Sequence, residues 1–196
     1  PLPPGTCPPR PGAGTGATGV VTVRADLIPT WVDGRLVPFD KIVAHLEGRR
    51  HKAVSVFVLE GERVLIQRRA AGKYHTPGLW ANSCCTHPHW GEASRDCAVR
   101  RLREELGMTG MAPVFAETVE YRADVGGGMT EHEVVDIFTA DAPAGLRVEP
   151  NPVEVMAVRW IALSDLQAEV AAMPECFTPW LKIYLAEHRH RIFRAA

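Results

Sequence analysis

The segment GEASRDCAVRRLREELG, residues 91–107, combines helical spacing with a stop at Gly107, a residue suited to the left-handed turn that closes a helix. On that helix Arg100 and Glu104 are four residues apart and share a face, as do Arg101 and Glu105. Such pairs are usually solvated and contribute little, and that reading suffices for Arg100 and Glu104. Strand signals flank the helix. Upstream, AVSVFVLEGERVLIQRR is two apolar runs broken at Glu60-Gly61, the pattern of a β-hairpin. Downstream, VFAETVEYRADVGGGMTEHEVVDIFTA reads as a second hairpin turning at its glycines. A further strand, VMAVRWIAL, precedes two helices, one with Ser164 as N-cap and one with Thr178 as N-cap and Pro179 at its first position. A helix among strands predicts an α/β or α+β fold.

The chain has 196 residues, 46% of them apolar, which is enough to bury the core of one ordinary domain and too little for two. Its 22 basic and 23 acidic residues nearly cancel, so no global field recruits nucleic acid or a membrane, and an anionic ligand must be held by locally placed cations. No stretch approaches the ~20 apolar residues of a membrane span. Five cysteines, two of them adjacent at Cys84-Cys85, argue against a disulfide framework and for a reducing compartment, the cytoplasm. The opening PLPPGTCPPRPGAGTGATG cannot bury enough apolar surface to offset its ordering entropy. Residues 1–26 are therefore expected to be a disordered Pro/Gly-rich extension carrying an inert Cys7, with residues 27–196 as the single domain.

Side-chain parity sorts the chemistry-bearing residues. On a strand Glu131 and Glu133 face the same way and His132 the other. Two carboxylates on one face favour a cation between them, although a solvated acidic edge is the commoner fate of Glu-x-Glu alone. In ANSCCTHPHWGE, an extended backbone puts Cys85 and His87 on one face and turns Cys84 into the core. The thiols lack the Cys-x-x-Cys pairs of a zinc-thiolate site. With His45, His51, His87, Glu131 and Glu133 as candidates, a metal would have mixed N/O ligands, which suits Mn, Mg or Zn. His75 and His89 fall outside that set, with surface or supporting roles expected, and Cys97 and Cys176 read as packing residues. Arg69 and Lys73 follow the first hairpin, and with Arg101 they could cradle a diphosphate.

The helix is similar to the signature of the Nudix superfamily: Glu92, Arg100, Leu102, Glu104, Glu105 and Gly107 fall on the pattern. Thr86 stands where the first Gly is expected, and Arg101 where the first Glu of the Arg-Glu pair is expected. In Nudix hydrolases the carboxylates of this helix bind magnesium ions to cleave a diphosphate. Replacing one with a fixed cation suits holding a diphosphate better than hydrolysing it. The branch with this alteration is the type 1 isopentenyl-diphosphate isomerase family. The resemblance runs from Trp31 to Phe193 through Ala44-His45, His51, QRRA, PGLWANSCCTHP, GE, RRLREELG, YRA, EHE and FTPW in order. It is strongest toward short bacterial forms, including those of photosynthetic bacteria, which supply precursors for carotenoids and the chlorophyll side chain.

The resemblance implies a Nudix fold, a mixed sheet sandwiched between helices with two helices at the C-terminal end. It makes His45, His51, His87, Glu131 and Glu133 the ligands of one divalent metal (Mn2+, Mg2+ or Zn2+). A Mg2+ arriving with the substrate would contact Glu105 and the main-chain carbonyl of Cys85. Arg69, Lys73 and Arg101 match diphosphate-binding cations, Cys85 the catalytic thiol, Glu133 the catalytic carboxylate, Tyr121 its supporting phenol and Trp180 the aromatic wall. The implied reaction moves a double bond between isopentenyl and dimethylallyl diphosphate, in a monomer or weak homodimer. Protonating an unactivated alkene demands a well-placed acid and stabilisation of the cation that forms. The expectation is that Glu133 with Tyr121 delivers a proton while Cys85 as thiolate removes one, the roles exchanging in reverse. The competing readings are a Nudix pyrophosphohydrolase, a noncatalytic metal- or diphosphate-binding module, and a redox sensor using Cys84-Cys85.

Overall fold

A computed structural model describes residues 26–193. The expectations for residues 1–25, including Cys7, lie outside them. Asp26, assigned above to the extension, belongs to the fold: its carbonyl accepts from the Lys41 amide at 3.0 Å and its carboxylate pairs with the Lys41 ammonium.

Among the described residues nine strands form one mixed sheet. The chain opens with a hairpin of β1 (Leu27–Val32) and β2 (Arg35–Asp40) that the sequence reading did not assign. Its signal is Asp33-Gly34, both at positive φ (49° and 76°), the two-residue turn that matches strand twist. Asp40 then caps the short helix α1 (Lys41–Leu46) by accepting from the Val43 amide at 3.0 Å.

β3 (Arg50–Glu60) is central. It runs parallel to β8 (Met129–Asp141), which pairs antiparallel with β7 (Val114–Gly126); both expected hairpins therefore form, the second turning at the glycines. β3 meets β4 (Arg63–Arg69) only near their turn, through Leu59↔Val64 and Glu60↔Arg63. Beyond that point β6 (Cys84–Thr86) pairs with β3, while β4 pairs with β5 (Trp80–Ala81) and β9 (Val155–Ala162). β3 and β4 thus splay, and the short β6 carries Cys85 into the opening opposite Ser55.

Alternation along β3 builds two cores. Val54, Val56 and Val58 face helix α2 (Ser94–Leu106), packing with Cys97, Ala98, Leu102 and Leu106. Ala53 and Phe57 face the opposite layer of Leu166, Trp180, Leu181 and Tyr184. α2 ends as expected at Gly107, φ 66°, whose amide bonds the Arg103 carbonyl at 3.0 Å. Helix α3 (Leu163–Ala172) begins two residues earlier than Ser164 would allow as cap. Ala162 at the end of β9 is the extended residue before it, and the Leu163 amide is taken by the Glu62 carbonyl at 3.1 Å, so tertiary pairing overrides the side-chain signal. Thr178 and Pro179 do start the last helical stretch: α4 (Pro179–Ile183), a π-helical turn over Tyr184–His188, and α5 (Arg189–Ile192). No described helix is long and apolar enough to cross a membrane.

Candidate active site and metal centre

Six side chains with metal-binding character meet in the splay between the sheet halves. His45 ends α1 and His51 begins β3, and each places Nδ1 2.7 Å from a carbonyl, Lys41 O and Arg49 O respectively. A carbonyl only accepts, so each Nδ1 carries the proton and each Nε2 presents its lone pair inward. His87 Nε2 lies 3.0 Å and His51 Nε2 3.6 Å from Glu133 Oε1. His51 Nε2 is buried without a hydrogen-bond partner, a position that asks for a ligand of another kind.

The donor atoms of His45, His51, His87 and Glu133 all lie within 4.8 Å of one another, and so do those of His45, His75 and Glu131. Glu131 therefore sits in a second group that shares only His45 with the first. The cause is its spacing: residues two apart on one strand face are about 6–7 Å apart, so the two carboxylates meet different imidazoles. His75, expected on the surface or in support, is 5% exposed and holds Nε2 3.4 Å from Glu131 Oε1. His89 is at the surface, as expected, 59% of its side chain exposed. His132 points away from the carboxylates, toward Glu120 at 3.2 Å, as strand parity requires.

Burial keeps His45, His75 and His87 in the neutral form that binds metal. It pushes His45 down to about 3, helped by His87, and His75 down to about 2, helped by the Arg69 charge; His87 is lowered too. Burial alone would raise Glu133, but the His51 and His87 imidazoles beside it hold it well below the carboxylate range. Glu131 moves up through burial and the Glu133 charge beside it. Tyr121 ties the two together, its hydroxyl 2.8 Å from Glu131 Oε2 and 2.6 Å from Glu133 Oε2. These buried imidazoles and carboxylates form two groups sharing His45, whose mixed N/O donors suit a divalent metal ion.

Cys84 is fully buried against α2, while Cys85 faces the cavity. The Cys85 thiol donates to Asn82 Oδ1 at 2.7 Å. Asn82 cannot turn its amide over, because Nδ2 donates to Val56 O and Cys84 O, both at 3.0 Å. Ser55 Oγ stands 3.5 Å from the sulfur and 3.1 Å from Tyr184 Oη. Burial pushes the Cys85 thiol up, and the fixed acceptor also favours S–H, so the resting group is a thiol rather than the expected thiolate. Cys97 and Cys176 are buried packing residues, as expected.

A small cavity of about 50 Å³ is lined by Ser55, Cys85, Tyr121, Glu131, Glu133 and Trp180. Arg69, Lys73 and Arg101 line it too, and the latter two also line a wider cavity of about 320 Å³ that shares Tyr74 and His87 with it. Arg69 is buried, donates to the carbonyls of His75 and Thr76, and lies 5.2 Å from the Trp180 ring centre. Lys73 pairs with Glu154, and Arg101 Nη2 is 3.5 Å from that carboxylate and 2.5 Å from Glu105 Oε1. Glu105 also accepts from Gln67 at 2.9 Å. Arg100 makes its Glu104 pair at 3.0 Å, but its main partner is Glu92, gripped at 2.6 and 2.7 Å. Asn82, Ser55, Tyr184 and Glu154 are the residues that sequence reasoning did not assign, and His75 was given only a surface or supporting role. Only Asn82 had a signal, lying inside the ANSCCTHP stretch.

A mixed sheet between helical layers, with a carboxylate-rich helix under a cation-lined cavity, defines the Nudix class, and the NUDIX domain family matches residues 49–181. The fold is similar to DR0079 from Deinococcus radiodurans (TM-score 0.65, 18% identity, 86% of this chain and 99% of that one). It is similar also to the MutT NUDIX hydrolase from Burkholderia pseudomallei (TM-score 0.56, 23% identity, 71% and 98%). Isopentenyl-diphosphate Delta-isomerases are much nearer in sequence. The Cereibacter sphaeroides protein is 68% identical over 168 residues, 86% of this chain and 95% of its own length; that of Dinoroseobacter shibae is 64% identical over 168 residues, 86% and 96%. The chain belongs to the isopentenyl-diphosphate Delta-isomerase family of Nudix proteins.

Proposed function

We propose that the chain interconverts isopentenyl diphosphate and dimethylallyl diphosphate by protonation at one carbon and deprotonation at another. One observation carries this reading: a thiol, Cys85, and a carboxylate, Glu133, line one cavity whose mouth is set with Lys73 and Arg101. The diphosphate would bind Arg69, Lys73 and Arg101, drawing the latter two from Glu154. The five-carbon chain would then lie inward between Cys85 and Glu133. In the resting state the sulfur holds a proton and Glu133 is ionised, which is the starting point for one direction. Sulfur gives its proton to the alkene and Glu133 takes one from the cation. The other direction begins with thiolate and protonated carboxyl. Trp180 offers a π face, a contact worth about 2 kcal/mol when desolvated, and the dry walls keep water from trapping the cation.

The divalent metal, Mn2+, Mg2+ or Zn2+, would be held by His45, His51, His87, Glu131 and Glu133 and, when bound, supplies positive charge that balances the buried carboxylates. Tyr121 hydrogen-bonds both carboxylates and orients Glu133. A Mg2+ entering with the substrate would use Glu105 and the Cys85 carbonyl, which requires Arg101 to release Glu105. We place the enzyme in the cytoplasm as a monomer or weak homodimer that supplies isoprenoid precursors, including those for carotenoids and the chlorophyll side chain.

The test is proton NMR of isopentenyl diphosphate with the protein and Mg2+ in deuterated water. Dimethylallyl diphosphate carrying solvent deuterium is expected, and Cys85→Ala should lose about 10²–10⁴-fold in turnover. Release of inorganic phosphate in place of deuterium exchange would make the chain a hydrolase instead.

A further inference from the structure

His75 is unused by the reaction as described, yet it is among the most constrained polar residues in the molecule. It lies in the segment between β4 and β5, where strand alternation dictates nothing. The next residue, Thr76, has φ 45°, a left-handed backbone that a β-branched residue adopts only when its surroundings force it. That strain aims His75 inward, edge-on to Trp180 with ring centres 5.9 Å apart and stacked on His45 at 5.5 Å. Its Nδ1 stands 3.1 Å from Thr76 Oγ1. His75 thus resembles His51 in having an oxygen beside Nδ1 and Nε2 turned toward a carboxylate, although Arg69 Nη2 also stands 3.5 Å from its Nδ1.

The two carboxylates repeat one another as well. Glu133 presents Oε1 to His51 and His87 and gives Oε2 to Tyr121; Glu131 presents Oε1 to His75 and gives Oε2 to Tyr121. We propose that His75 is a protein ligand of the divalent metal through Nε2, completing a cage of His45, His51, His75, His87, Glu131 and Glu133. This assignment builds on the metal centre proposed above, whose ligand set it enlarges. The two groups that share His45 would then hold one ion between them, each residue offering one N or O donor. Each carboxylate then binds by Oε1 alone, and Glu133 Oε2 stays free for Tyr121 and for proton transfer. The ion's part in the chemistry is to fix and neutralise the cage.

The experiment uses metal-stripped protein reloaded with Mn2+, with affinity measured by chelator competition and bound nitrogens counted by electron spin-echo spectroscopy of protein labelled with 15N-histidine. Four coupled imidazole nitrogens are expected in the parent protein. His75→Ala should show three and bind Mn2+ at least about 10-fold more weakly. Added imidazole should restore part of that affinity. His75→Gln, whose amide can still hydrogen-bond Glu131, should be as weak as His75→Ala. Parental affinity in His75→Gln would reduce His75 to a hydrogen-bond donor and overturn the assignment, and so would three nitrogens in the parent protein, a result that needs no variant to fold. Four nitrogens in a protein without isomerase activity would sink the functional reading and leave this one standing. Full activity with three nitrogens would do the reverse.

Discussion

Asn82 sets the state of the group that matters most. Its amide is clamped by the carbonyls of Val56 and Cys84, so its oxygen can only face the Cys85 sulfur as an acceptor. Asn82→Ala would remove the amide that donates to both buried carbonyls and the acceptor of the thiol. We expect a loss of about 2–4 kcal/mol in denaturant unfolding, together with a fall in turnover larger than any rise in KM. A variant with parental stability would show that water replaces the amide. Parity placed Cys85, His87, Glu131 and Glu133 correctly, because a period of two is a property of any strand. It could not separate Glu131 from the His51–His87 group, since that depends on which imidazoles lie above each carboxylate. The inward direction of His75 and of Glu154 was illegible for a related reason: both sit in irregular segments where no periodicity links position to direction.

At the scale of elements, α2 is held from both ends. Arg100 grips Glu92, which precedes the helix, with two hydrogen bonds, and that pairing lowers the Glu92 carboxyl even against burial. A depressed folded-state value means that the contribution to stability is fully present above the unfolded glutamate value of about 4.3 and fades as pH falls through the folded one. Glu92→Gln should therefore cost about 1–2 kcal/mol at pH 7 and nothing at pH 2, measured as paired unfolding curves. The far end is the Gly107 turn, where an added Cβ would meet Glu149 Cβ at 2.9 Å and its carbonyl at 3.0 Å. Gly107→Ala combines that clash with a positive φ, and a loss of more than about 1 kcal/mol is expected in the same assay. Between the ends, Arg101→Ala should raise KM for the diphosphate at least about 10-fold while changing kcat less, because Arg101 lines the cavity mouth and touches neither Cys85 nor Glu133. The Gly107 stop and both expected hairpins were legible because glycine geometry is local. The β1–β2 hairpin was equally local in its Asp-Gly turn and was passed over, whereas the start of α3 was set by β9 pairing rather than by Ser164.

Across the whole molecule, the splay of β3 from β4 opens the space for the site, and charged and polar side chains fill it. Four imidazoles and two carboxylates, all largely buried, crowd together there, with Tyr121 the hydroxyl that bridges the acids. Buried carboxylates side by side repel, and His51 Nε2 is unpaired, so the metal-free cage is a source of strain that a divalent ion removes. Binding only to the folded state stabilises by mass action, about 2.7 kcal/mol when free metal is 100-fold above its Kd. For a domain of this size that corresponds to a rise in Tm of roughly 5–10 °C. Chelator-treated protein is therefore expected to melt earlier and to be inactive, and both properties should return together on titration with Mn2+. Mg2+ and Zn2+ run in parallel rank the candidate ions. The same titration on His51→Ala, which lacks the unpaired nitrogen, should flatten the Tm response. An unchanged Tm after chelation and Mn2+ addition would mean that Tyr121 and the hydrogen-bonded histidines satisfy the buried carboxylates without an ion.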